Sequence, residues 1–102
     1  MKTSPTQRSL KKLRGEGYLV AITEHWNPFS HIRQDLYGFI DLLAIKKDEI
    51  CGIQCGCKGD ISKKIKKITE HKNFQAVKES PIRIIIHGWD DEGDLEEREI
   101  IK

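Results

Sequence analysis

The run Tyr37-Gly38-Phe39-Ile40-Asp41-Leu42-Leu43-Ala44-Ile45, then Lys46-Lys47-Asp48-Glu49, then Ile50-Cys51-Gly52-Ile53-Gln54, sets one polar residue inside each of two apolar strands. An unpaired carboxylate buried in a small domain costs several kcal/mol unless a partner or a metal compensates. Asp41 therefore needs a reason. The polar break between the strands reads as a tight hairpin turn. With Lys47-Asp48 as the two-residue loop, Lys46 faces Glu49, Ile45 faces Ile50, and Asp41 falls opposite Gln54. Opposed residues share a face, with Cβ atoms roughly 4.5–5.5 Å apart. Two oxygen-bearing side chains at that spacing can grip one hard cation. A slip of one residue would put them on opposite faces, so the register carries the argument.

Outward from the hairpin, Ser4-Pro5 predicts a helix N-terminus and Gly15 its end, with Leu10 and Leu13 buried and four cations on the remaining surface. Tyr18 to Thr23 predicts a first strand that runs on into Glu24-His25-Trp26 and is broken by Asn27-Pro28. Phe29 to Gln34 is expected as a plain connection. The hairpin strands are expected to span Asp35 to Ile45 and Glu49 to Cys57.

Gly59-Asp60 then caps a helix whose Ile61, Ile65 and Ile68 recur at helical spacing. Asn73 to Pro81 reads as a loop or a short helical turn. Ile82 to Trp89 is so continuously apolar that it predicts an interior, parallel strand. Asp90 to Asp94 turns, and Arg98 to Ile101 predicts a short edge strand. The expected order is αβββαβ, plus that edge strand: an α/β domain with a mixed sheet flanked by helices.

The order Glu24, then Gly38-Phe39-Ile40-Asp41, then Gly52-Ile53-Gln54, then a basic helix, resembles the PD-(D/E)XK nuclease superfamily. Within it the chain is most similar to small single-domain members of the VRR-NUC and Holliday-junction-resolvase-like kind, over roughly residues 16 to 89. The resemblance implies a restriction-endonuclease-like core and Mg²⁺- or Mn²⁺-dependent hydrolysis of phosphodiester bonds in DNA, on branched substrates among others. It implies a homodimer as well. It puts Asp41 and Gln54 in the metal-binding positions. The family's lysine, two residues after the second of these, falls on Gly56, which is a departure. Lys58 is the nearest substitute, on the same strand face by period two if the strand persists.

Composition sets the frame. At 102 residues, 37% hydrophobic and 33% charged, the chain is expected to be one domain over 1–102, soluble and cytoplasmic. No apolar run approaches a membrane span or a signal region. Phosphate-loop, Rossmann and nucleophile-elbow patterns are absent from the sequence. The net charge of +2 conceals an asymmetry: residues 1–89 hold 16 Lys/Arg against 9 Asp/Glu, and residues 90–102 hold 2 against 7. A basic body (+7) with an acidic C-terminal segment (−5) suits an anionic partner, with the acidic segment expected on the far side from DNA.

Several readings follow for the chemistry. Mg²⁺ takes one or two carboxylates and keeps several waters. Asp41 supplies the first carboxylate and Gln54 a neutral carbonyl, and Glu24, at the end of the first strand, is expected to add the second carboxylate. Asp35 ranks below it, because six residues of extended strand would hold it roughly 20 Å from Asp41. The structural alternative for Asp41 is an ion pair with Arg33, Lys58 or a lysine of the second helix. A catalytically inactive nucleic-acid-binding module is the alternative function. It would use Arg8, Lys11, Lys12 and Arg14 of the first helix with Lys63, Lys64, Lys66 and Lys67 of the second. Trp26 and Trp89 are expected in the core rather than stacked on bases. Cys51, Cys55 and Cys57 share the Ile53 face and are expected as reduced, buried thiols rather than zinc ligands.

Overall fold

A computed structural model describes residues 3–100. Helix α1 (Pro5–Gly15) starts where expected, with the Ser4 hydroxyl accepting from the Gln7 N–H at 3.2 Å and Pro5 in the first turn. Strand β1 (Leu19–Ile22) leads to a two-stranded arm, β2 (His25–Asn27) and β3 (Ile32–Gln34). Strands β4 (Leu42–Lys46) and β5 (Glu49–Cys57) form the hairpin, followed by α2 (Ile61–Thr69), α3 (Phe74–Glu79), β6 (Arg83–Trp89) and β7 (Leu95–Ile100). No described helix is long and apolar enough to cross a membrane.

The main sheet is mixed and has the order β1-β4-β5-β6-β7. Only β5 and β6 run parallel, joined through α2 and α3, and β6 lies inside the sheet as its apolar run required. Helix α1 packs on one face, where Leu10 and Leu13 meet Val20, Leu42, Ala44, Cys51, Ile53 and Cys55. Helices α2 and α3 cover the other, where Ile61, Ile68 and Val77 meet Phe39, Ile40, Ile84 and Ile86. The chain is thus α/β with a five-stranded mixed sheet flanked by helices.

The hairpin register is the expected one. Lys46 faces Glu49, Ile45 faces Ile50 and Leu42 faces Ile53, with Lys47 at φ 46° carrying the reversal. Three expectations need correction. The strand expected from Asp35 begins only at Leu42. Residues 36–40 instead fold into a tight reversal with Tyr37 at φ 56° and Gly38 at φ 92°, closed by Leu36 and Ile40 bonding each other's backbone at 3.0 Å. The imidazole of His71 lies where a Cβ on residue 38 would go, so only glycine fits this turn.

Phe29 to Gln34 is not a plain connection, because residues 25–34 form the arm. The 73–81 segment takes the helical one of its two expected forms, as α3. The edge strand is longer than expected and starts at Leu95; Ile101 lies outside the described residues.

The acidic segment is not remote from α1. The Arg8 guanidinium donates to the Asp90 carbonyl at 2.9 Å and lies 6.0 Å over the Trp89 ring. Glu97, on β7, receives the end of a buried polar chain. Trp89 Nε1 donates to Ser9 Oγ (2.9 Å), and Ser9 Oγ and His87 Nδ1 share a hydrogen bond (2.8 Å). His87 Nε2 in turn bonds Glu97 Oε1 (2.9 Å). Ser9 and His87 are wholly buried, so this serine–histidine–glutamate series ties α1 to β6 and β7 and is closed to substrate.

Candidate metal centre

Asp41 immediately precedes β4, and the register carries it opposite Gln54 on β5. The Gln54 amide donates to Asp41 Oδ2 at 2.9 Å, and the Cys55 backbone N–H donates to the same oxygen at 2.8 Å. Both residues are buried, each 4% exposed. Burial pushes the Asp41 carboxyl up to about 7, and the neighbouring Asp35 and Glu24 push in the same direction, against the Cys55 N–H.

The reversal at residues 36–40 brings Asp35 back beside Asp41. Carboxylate oxygens of Glu24, Asp35 and Asp41 lie within 4.8 Å of one another. Asp35 therefore belongs to the centre, and its expected distance of a full strand length is overturned: the chain between the two aspartates doubles back. Glu24 also takes its expected place. Arg33 Nη1 approaches Glu24 at 3.3 Å and Lys67 Nζ approaches Asp35 at 3.7 Å, so neither cation neutralises Asp41. The structural alternative, an ion pair for Asp41, is not what holds it.

Whether these residues suit a cation is tested by Gln54. Its amide nitrogen is satisfied by Asp41, while its Oε1 is buried without a hydrogen-bond partner in the structure. An unsatisfied buried carbonyl costs about 1–3 kcal/mol. Three clustered carboxylates, one with a raised pKa, are hard oxygen donors of the kind Mg²⁺ and Mn²⁺ take, and the cleft they line also holds Gln54 with its orphaned carbonyl oxygen.

The basic residues are arranged differently from expectation. Strand β5 ends at Cys57; Lys58 begins a tight turn after it and pairs with Asp90 at 3.6 Å, away from the carboxylates. Lys64 of α2 is the lysine at the centre. Gly56 shares the α2-facing side of β5 with Gln54, and the Lys64 side chain lies directly over it. A Cβ on residue 56 would come within 2.9 Å of Lys64 Nζ. Lys64 lines a cleft of about 370 Å³ together with Glu24, Asp35, Asp41 and Gln54.

The amino end of α1, Ser4 to Thr6, opens on this cleft, as does Arg33. A helix N-terminus, a guanidinium and an ammonium around a carboxylate cluster suit a phosphate held next to a cation.

Other surface groups divide. Lys63, Lys66 and Lys67 are exposed along α2 and Lys11 along α1, while Arg8 and Lys12 are engaged with Asp90 and Glu16. Cys51 and Cys55 are buried, with the Cys55 thiol pushed up to about 12 by burial, but Cys57 is exposed where the strand leaves the sheet, against expectation. Trp26 is also on the surface rather than in the core. Compared with known proteins, the chain matches no family model, no curated protein and no solved structure, so its chemistry has to be read from its own residues.

Proposed function

We propose that this protein is a metal-dependent nuclease of restriction-endonuclease-like architecture that hydrolyses phosphodiester bonds in DNA. The observation that supports it most is the convergence of Glu24, Asp35 and Asp41, with Gln54 hydrogen-bonded to Asp41 and its own carbonyl oxygen left without a partner. Bound there, Mg²⁺ or Mn²⁺ would polarise a scissile phosphate and acidify a water. Asp41 and Gln54 hold the ion, with Glu24 and Asp35 as further carboxylates. Arg33 and Lys67 keep those two from repelling each other out of the cleft.

Lys64 takes the part that the superfamily resemblance gives to the position of Gly56. Its ammonium lies at the cleft wall, where it can neutralise a phosphate oxygen or hold the attacking water. The exposed Lys63 and Lys66 extend positive charge along α2 for backbone contacts with little sequence preference.

Two copies acting together suit cleavage of both strands. The apolar row Leu19–Ile45–Ile50, exposed across β1, β4 and β5, offers a face for that pairing.

The experiment is a cleavage assay on linear and branched DNA with Mg²⁺, with Mn²⁺ and with EDTA, using wild type and Asp41→Asn. Metal-dependent cutting that Asp41→Asn abolishes is the expected result. Tight DNA binding with no cutting under any metal would leave the inactive binding module as the function.

A further inference from the structure

Of the arm, the metal centre uses Arg33, which pairs with Glu24; the rest of the arm grows out of the centre and away from it. Glu24 immediately precedes β2 and Asp35 immediately follows β3, so two of the clustered carboxylates are the arm's two ends. The arm pairs only with itself, through His25↔Gln34, Trp26↔Arg33 and Asn27↔Ile32. Its tip is ordered: Asn27 Oδ1 accepts from the Phe29 and Ser30 N–H groups at 2.9 and 3.3 Å, and the His31 N–H returns to the Asn27 carbonyl at 2.9 Å.

On that ordered tip Phe29 is 95% exposed, and Trp26 and Ile32 are 56% and 53% exposed. Large rings held out on a fixed turn contribute nothing to either core. The arm, residues 25–34, carries no acidic residue and one cation, Arg33, beside the imidazoles of His25 and His31. Between the arm and the end of α2 runs a groove of about 740 Å³ lined by His25, Arg33, Tyr37, Lys67 and Lys72, and its floor includes Asp35.

We propose that the β2–β3 arm is a base-stacking wedge, and that the substrate class is DNA in which an unpaired strand adjoins a duplex. Cations along the groove track the phosphates, and Phe29 and Trp26 offer faces on which unpaired bases stack; that combination is the one single strands require. A continuous duplex shows its bases only at the groove edges and would leave both rings in water. The absence of acidic residues from the arm, with Lys72 on the facing wall of the groove, favours a polyanion over a second copy of this basic body.

The arm also acts as a ruler. Phe29 lies five positions beyond Glu24, at most about 17 Å of strand at ~3.3 Å per residue. That is the rise of about five nucleotides at ~3.4 Å each, so cleavage should fall within about five nucleotides of the junction.

This inference takes the position of the cut from the nuclease reading, but stacking itself does not need cleavage, and the test is arranged accordingly. Binding is measured by fluorescence anisotropy in EDTA, with a duplex, the same duplex carrying a single-stranded tail, and 2-aminopurine placed in that tail. Wild type should prefer the tailed DNA and change the 2-aminopurine signal. Phe29→Ala and Trp26→Ala should each weaken tailed-DNA binding by about tenfold while leaving duplex binding unchanged. Trp26→Phe should keep most of the preference.

Variants that bind every substrate as wild type does, or a wild type with no preference for the tail, would overturn the proposal. So would a dimer that Phe29→Ala dissociates without changing DNA preference, since the arm would then be a self-association surface. If the preference holds but no metal supports cutting, the wedge stands and the nuclease reading falls.

Discussion

Lys64 of α2 lies over Gly56 of β5, filling the space a strand side chain would occupy beside Gln54; a Cβ on residue 56 would meet Lys64 Cδ at 3.3 Å and Nζ at 2.9 Å. The missing side chain and the incoming one are complementary, and a larger residue at 56 would displace the ammonium from the cleft. If Lys64 serves the reaction from there, Lys64→Ala should lower turnover by about 10²–10³-fold, as loss of one charge-stabilising donor does, with DNA affinity nearly unchanged. The double variant Gly56→Lys/Lys64→Ala should recover a measurable part of that loss by supplying the same ammonium from the strand. Equal rates for wild type and Lys64→Ala would remove the residue from the reaction.

Asp41 gives the metal-free protein a pH dependence of stability. Its carboxyl is raised from 3.8 to about 7, chiefly by burial, so folding favours the protonated form. The contribution is fully present below about pH 4 and is lost as pH rises through about 7. In EDTA, the urea midpoint should fall across that window with a slope of up to about 1.4 kcal/mol per pH unit. Asp41→Asn should flatten the slope and stabilise the metal-free protein at pH 8. Mn²⁺ should restore stability at pH 8 in wild type and not in Asp41→Asn; equal Mn²⁺ effects on both would take Asp41 out of the ligand set.

Gly38 connects backbone geometry to the ligand set. Its φ of 92° and the His71 ring above it exclude a side chain, and the turn it permits returns Asp35 to Asp41. Gly38→Ala should destabilise the fold by about 1–3 kcal/mol. It should also weaken Mn²⁺ binding more than Asp35→Asn weakens it, because the whole turn moves. Calorimetric titration of the two variants makes the comparison, and unchanged Mn²⁺ affinity in Gly38→Ala would show that Asp35 is positioned by something else.

What could be read from the residues divides along the range of the interactions involved. The pairing of Asp41 with Gln54 was legible because strand period and a two-residue turn fix a hairpin register locally. Asp35 was not, since Leu36 to Ile40 is apolar enough to pass for strand, and Gly38 was the one cue that the chain reverses there. The arm carried a readable signal in Asn27 and Ser30 between His25-Trp26 and Ile32-Arg33, but Pro28 made it look like a break. Lys64 sits three residues after Ile61, at the margin of the buried face, so helical period places it near the sheet. That it meets Gly56 rather than another strand position depends on how α2 packs, which no local pattern encodes.

The buried chain from Trp89 through Ser9 and His87 to Glu97 gives a second pH dependence, of opposite sign. Burial lowers the His87 pKa, although Glu97 works against it, so the folded state favours neutral imidazole. A lowered histidine contributes stability that is present above its ordinary value near 6.5 and is lost as pH falls below that value. Protonation would also make both ring nitrogens donors, so that Nδ1 could bond Ser9 only by donating to an oxygen that already accepts from Trp89, and the Ser9 hydroxyl proton would have to point elsewhere. Wild type should therefore unfold more readily at pH 5 than at pH 7.5 by this route, in addition to any change from carboxylates. Ser9→Ala leaves Trp89 Nε1 and His87 Nδ1 without their partner and should cost about 1–3 kcal/mol at pH 7.5. The penalty should shrink as pH falls and the imidazole of the folded protein gains a proton. Urea denaturation of both proteins at the two pH values provides the check, and a penalty that does not change with pH would mean that His87 stays neutral throughout.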